Sequence, residues 1–212
     1  MSESELRALG SCRKCPRLVR WHARVAEEYP DYHASPVGAW GDARARVLIV
    51  GLAPGLHGAA RTGKAFVGDA SGEFLFASLH RQGFANAATP ATAKLTGARI
   101  TNAVKCLPPQ NAPKAIELQN CAGFLRAELS ALCPVAMRKP RVIIALGGVA
   151  HRAVRGALGL KREGFAHGAQ IEIAKRVHML SSIHPSRLNV NTKRLSAGML
   201  DQIFATARVL LG

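Results

Sequence analysis

Four of the five cysteines fall into two pairs that metal chemistry could use. Cys12 and Cys15 form a C-x2-C, and Cys106 and Cys121 stand with fourteen residues between them. The N-terminal stretch "MSESELRALGSCRKC" lacks the basic-then-apolar pattern of a secretory leader. A cytoplasmic, reducing setting is therefore expected, where clustered thiols are metal ligands before they are disulfides. Spacing alone admits a structural zinc and an iron–sulfur cluster equally, because both take four thiolates. Cys133, at the end of a helical pattern, reads as a buried unpaired thiol. A second stretch, "VLIVGLAPGLHGAARTG" over 47–63, runs an aliphatic strand into a glycine turn, as phosphate-binding loops do. The phosphate motifs fail, however. A Walker loop needs Lys then Ser or Thr, whereas Gly63 precedes Lys64 and Ala65, and G-x-G-x-x-G does not match "GLAPGLHG". The remaining turn amides, with Phe66 close behind, suit a planar heterocycle better than a triphosphate.

The elements that must hold these residues follow from periodicity. Apolar runs at 45–52, 98–105, 140–147 and 176–185 predict four strands. The first and third are nearly continuous, as expected of parallel strands covered on both faces. Helices are predicted over Glu73–Arg81, Lys114–Leu132, Val149–Leu158 and Ser196–Leu211, and loops at 30–44, 85–97 and 106–113. Strands alternating with helices predict an α/β fold: a three-layer α/β/α sandwich on a central four-stranded, mostly parallel sheet. With 212 residues and no linker or repeat, one domain over 1–212 is the economical reading. Ligands in such sheets sit at the carboxyl ends of strands. That rule selects 51–72, 102–111, 147–151 and 184–194.

Charge narrows the partner. Lys and Arg number 29 against 13 Asp and Glu, giving +16 and an isoelectric point near 10.7. The surplus is spread along the chain at Arg17, Arg20, Arg61, Lys64, Lys105, Lys139, Arg141, Arg187, Lys193 and Arg194. Cations on a folded body, rather than a basic tail, imply a charged face for a polyanion. No apolar run is long enough for a membrane span.

The blocks "GLAPGLHGAARTGKAFVGDASG" and "HPSRLNVNTKRLS" resemble the two signature motifs of the uracil-DNA glycosylase superfamily. They are most similar to its iron–sulfur type B branch, family 5. The intervening "RITNAVKCLPPQNAPKAIELQNC" fits the same branch, so the resemblance runs from Cys12 to the C-terminal helix. It implies a 4Fe-4S cluster on Cys12, Cys15, Cys106 and Cys121, stapling the N-terminal segment to the loop after the second strand. It also implies hydrolysis of the N-glycosidic bond of uracil in DNA, the first step of base-excision repair, with hypoxanthine among further bases accepted. Phe66 would stack on the flipped base, with Gly51 and Ala53 beside it. Asn102 would donate to a pyrimidine carbonyl and accept from the ring N–H. His184 would stabilise charge on the base oxygen. The family 4 motif has glutamate where Leu52 stands; here Asp69 is the acid expected to orient water, against the plain alternative that it N-caps a helix. Leu188 is the expected wedge, with Arg61, Arg187, Lys193 and Arg194 near phosphates, although many relatives have proline at the Arg187 position. The implied partner is double- or single-stranded DNA bearing uracil or another deaminated base, met by a monomer at a prokaryotic nucleoid.

Two other readings use the same residues. A DNA-binding module with a structural metal site would bind without releasing a base, and a nucleotide-dependent enzyme would need the phosphate motifs that fail above.

Overall fold

The run Val47–Gly51 has no polar side chain, and all five residues are buried, which a strand can sustain only when both its faces are covered. The computed structural model, which describes residues 3–133 and 139–212, gives it that cover. Six strands, β1 (Trp40–Gly41), β2 (Val47–Gly51), β3 (Ala98–Asn102), β4 (Arg141–Leu146), β5 (Gln170–Ala174) and β6 (Val177–Ser182), pair in the order β1-β3-β2-β4-β6-β5. The inner four are parallel, and the two edge strands are antiparallel to their neighbours. The helices are α1 (Glu3–Gly10), α2 (Pro16–Glu28), α3 (Ala59–Thr62), α4 (Ala70–Arg81), α5 (Ala115–Leu132), α6 (Gly148–Ala157), α7 (Arg187–Asn191) and α8 (Ala197–Leu211).

The period-2 side-chain rule builds the three layers. Val47, Ile49, Val142 and Ile144 face one way and pack with Leu75 and Phe76 of α4 and Phe204 of α8. Leu48, Val50, Ile143 and Ala145 face the other way and pack with Leu125 and Leu129 of α5 and Val154 of α6. The expected sandwich is present, with six strands where four were expected. The four are the inner parallel set. The other two escape periodicity for different reasons. A two-residue β1 has no period at all, and β5 exists through its pairing with β6 at an exposed edge. Helices α1 and α2 were also unexpected; α2 closes over a separate cluster of Leu18, Val104 and Cys121. No helix among the described residues is long and apolar enough to cross a membrane.

One expected surface cation is not on the surface. Lys105 is fully buried and donates to Glu128 Oε2 at 2.6 Å, Thr101 Oγ1 at 2.6 Å and the Asn102 carbonyl at 2.7 Å. Glu128 Oε1 in turn accepts from the Ala39 amide at 3.1 Å. All three ammonium protons are thus placed, the condition under which a buried charge is tolerated. Arg17 is also engaged, bonding both carboxylate oxygens of Glu117. The charged face is accordingly smaller than the composition implied. Glu128→Leu strands the ammonium without its counter-charge and should cost about 3–5 kcal/mol. Lys105→Met/Glu128→Leu should recover part of that loss. Urea melts of the wild type and both variants measure it; a double variant less stable than Glu128→Leu would show that the pair's charge balance is not what matters.

Candidate active site

Three loops leave the carboxyl ends of β2, β3 and β6 and meet around one cleft of about 1080 Å³. The first turn works because Gly51 has no side chain. A Cβ there would stand 2.5 Å from both Asn102 Oδ1 and Phe66 Cε2, so glycine is what lets these two groups close over the strand end. Gly51 thus lies beneath Asn102 and Phe66, while Ala53 lies on the cleft wall. Phe66 holds φ +60, a left-handed conformation costly for a bulky residue, and its ring is 6 % exposed. Its carbonyl presses against Gly72, where any Cβ would overlap it. Strain retained by close packing on a cleft wall is the pattern of a functional position.

Asp69 performs the capping expected of it and has an oxygen to spare. Its Oδ1 accepts from the Gly72 amide at 2.8 Å, fixing the first turn of α4. Its Oδ2 faces the glycine turn, 3.6 Å from where a Cβ on Gly55 would lie and in overlap with one on Gly58. Those glycines keep the carboxylate open to the cleft. Capping and a cleft-facing carboxylate are therefore compatible in one side chain.

His184 follows β6, and its ring tilts toward Phe66 with centroids 5.7 Å apart. Burial pushes the imidazole down to about 4, and the neighbouring Asp69 carboxylate only partly opposes that. Near neutral pH the ring is an uncharged donor. Its carbonyl accepts from Asn189 Nδ2 at 2.9 Å, and Ser186 caps α7 through the Asn189 amide, so the whole turn is braced. Asn102, the last residue of β3, is 2 % exposed and is registered directly against Gly51.

The outer residues divide. Arg187 lines the cleft, and Leu188 beside it is 69 % exposed on a turn with no apolar cover. Lys193 and Arg194 are exposed beyond the far end of α7, off the cleft wall. Arg61 lines the cleft while donating to the His57 and Gly68 carbonyls, which brace the loop and leave its charge unneutralised. Sequence reasoning did not single out Asn111, which enters the cleft wall near Asp69 from a turn at φ +54. Its signal was an asparagine in a proline-rich turn, a residue type tolerant of that conformation.

Away from the cleft, Cys12, Cys15, Cys106 and Cys121 surround one small closed cavity with Leu18 and Phe124. Burial pushes the Cys106 thiol up to about 12, and Cys121, Cys12 and Cys15 push it further in the same direction. Burial likewise raises the Cys121 thiol, so both groups sit neutral where a thiolate would need a positive centre. Among the described residues, no three His, Cys, Asp or Glu side chains close on a point that would hold a single ion. Four thiols around one small space form a donor set of the kind taken by a structural zinc or by an iron–sulfur cluster. Two donors already aim at sulfur: the Lys105 amide at Cys121 Sγ (3.3 Å) and Asn120 Nδ2 at Cys15 Sγ (3.5 Å). Cys133 lies elsewhere, against the α5–α6 core.

Comparison with known proteins agrees with this arrangement. The family model described as the uracil DNA glycosylase superfamily matches residues 39–208. A type-5 uracil-DNA glycosylase of Mycobacterium bovis is 42% identical, over 98% of this chain and 81% of its own length. One of Pyrobaculum aerophilum is also 42% identical, over 94% and 88%, and one of Thermus thermophilus 40%, over 99% and 98%. A type-4 uracil-DNA glycosylase of Pyrobaculum aerophilum is more distant, at 30% over 79% of this chain. With the cleft residues at the strand ends, the four cysteines together and the match running nearly end to end, the chain belongs to the uracil-DNA glycosylase superfamily.

Proposed function

We propose that this protein is a uracil-DNA glycosylase of the type-5 branch, hydrolysing the N-glycosidic bond of uracil in DNA at the start of base-excision repair. The observation that carries this is the convergence of Phe66, Asp69, Asn102 and His184, from three separate loops, on one cleft at the strand ends. The flipped base stacks on Phe66, and the Asn102 amide meets the pyrimidine edge, donating to a carbonyl and accepting from the ring N–H. His184 donates to the base oxygen on which negative charge develops as the glycosidic electrons leave with the base. The Asp69 Oδ2 orients water toward the sugar carbon, accepts its proton and faces the cationic sugar with negative charge. Leu52 places an apolar side chain where a type-4 enzyme has a carboxylate, and hypoxanthine is a further base that the pocket accepts in this reading. Among the described residues no lysine lines the cleft, and this reading has base release without a Schiff-base step.

Leu188, standing free beside the cleft, is the wedge that fills the vacated stack, with Arg61, Arg187, Lys193 and Arg194 against phosphates of duplex or single-stranded DNA. Cys12, Cys15, Cys106 and Cys121 hold a 4Fe-4S cluster whose chemistry is structural, tying the N-terminal segment to the loop that carries Asn111. The protein acts as a monomer, one domain over 1–212, on the DNA of the prokaryotic cytoplasm.

Asp69→Asn keeps an oxygen for the Gly72 amide and removes only the charge. Uracil release in single turnover should slow on the order of a hundredfold or more, with melting unchanged. Asp69→Ala should lose the same activity and about 1 kcal/mol of stability as well. Wild-type rates in Asp69→Asn would reduce the residue to a cap.

The depressed His184 value has a signed consequence. The unfolded chain takes up this proton near 6.5 and the folded one near 4. The contribution to stability is therefore full above about pH 6.5, declines as pH falls through that interval, and levels off below about 4. Proton NMR of the DNA-free protein should show the ring titrating near 4; a midpoint at 6.5 would make it a cation-forming group instead.

For the metal site, anaerobically purified protein should carry iron and sulfide and absorb broadly near about 400 nm. Cys121→Ala should lose both colour and iron, whereas Cys133→Ala should keep them. One tightly bound zinc in colourless wild-type protein would overturn the cluster.

A further inference from the structure

A second large cavity, about 840 Å³, lies on the other side of the cleft wall, between α5 and α6 and under the loop that follows α6. Its floor is aliphatic: Leu52, Leu118, Leu125, Val149 and Leu160. It stays open because the two helices face each other with Ala122, Ala153 and Gly156, side chains too short to meet. Arg155, 5 % exposed, builds the outer wall by donating through Nε and Nη2 to the Lys161 carbonyl, and its Nη1 lies 3.0 Å from Glu163 Oε2. That leaves two further arginines at the rim, Arg152 and Arg162. Both are exposed, and neither has a carboxylate at ion-pair distance among the described residues.

We propose that this groove is a docking site for an acidic peptide segment of a partner protein, apolar side chain down and carboxylates up against Arg152 and Arg162. The chemistry favours a peptide over a nucleic-acid strand. Among the described residues no aromatic ring lines the cavity, so bases would have no stacking platform there. An aliphatic floor instead takes a leucine- or phenylalanine-sized side chain, the usual anchor of a peptide groove. The rim supplies cations, on a chain already at +16, for a segment of opposite charge. Leu52 and Asn111 line both this cavity and the cleft at the strand ends, so an occupant sits directly beside that cleft. This site is independent of the glycosylase reading.

The test uses the full-length protein and a fluorescein-labelled synthetic peptide with a run of aspartates followed by leucine, phenylalanine and a free carboxyl. Binding by anisotropy should be saturable, weaken as salt rises, and vanish when lysines replace the aspartates. Arg152→Glu/Arg162→Glu should weaken it on the order of tenfold or more. Ala153→Trp, which fills the groove without changing charge, should do the same. Both variants should release uracil from a duplex at the wild-type rate, which separates this site from the catalytic one. Unchanged peptide affinity in the variants overturns the proposal. So does loss of affinity for an unlabelled oligothymidine strand in their place, which would assign the groove to DNA. Failure of the wild type to release uracil would sink the glycosylase reading alone, because peptide binding is read separately.

Discussion

Burying the Lys105 ammonium constrains the molecule from four directions at once. A charge sealed from water must have every proton placed, and here the acceptors come from Thr101, Asn102 and Glu128. The first two fix the end of β3, and the third fixes the middle of α5. The same residue's carbonyl accepts from Val37 at 2.7 Å, and its amide donates to Cys121 Sγ. One lysine therefore ties together the strand end that presents Asn102, the helix behind it, the segment leading to β1 and one of the four clustered cysteines. Local rearrangement of the β3 end or of Glu128 would leave an unpaired charge in an apolar interior. The β3 end that carries Asn102 is held in place by that cost.

A second constraint is the absence of side chains. Asn102 and Phe66 reach each other over Gly51, the Asp69 carboxylate reaches the cleft past Gly55 and Gly58, and Phe66 keeps its left-handed backbone because Gly72 lets its carbonyl pack closely. His184 likewise packs over Gly147, whose φ of +91 suits glycine. The glycines that resembled a phosphate loop bring side chains together instead of presenting amides to a ligand. Capping then joins structure to chemistry, since Asp69 spends one oxygen on α4 and turns the other to the cleft.

The cysteine cavity and the cleft are linked mechanically through the loop after β3. Arg17, two residues after Cys15, grips Glu117 and the Ala112 carbonyl, and Glu117 caps α5 through the Lys114 amide at 2.7 Å. Asn111, on the cleft wall, is the neighbour of Ala112. The N-terminal segment bears on this loop through that clamp and through His22, which accepts from the Leu107 amide at 2.9 Å.

Much of this was legible in the residue order. Near-continuous aliphatic runs can be satisfied only by strands covered on both faces, so the inner sheet and its flanking helices followed, and strand ends then located the site. Cysteine spacing singled out the four thiols that the fold gathers around one cavity but left open what they hold, because zinc and iron–sulfur ask for the same thiolates. Other features were decided by tertiary structure. β1 is a strand because a neighbour's edge offers hydrogen bonds, which no pattern within two residues records, while the alternation of Gln170–Ala174 is too short to fix β5 without its pairing to β6. Lys105 looked like a surface cation because lysine usually is one; only the approach of Glu128, twenty-three residues away, made burial tolerable. Whether Asp69 was a cap or an acid had no answer in sequence, since both roles ask for the same carboxylate. It took the fold to direct one oxygen to an amide and the other to the cleft.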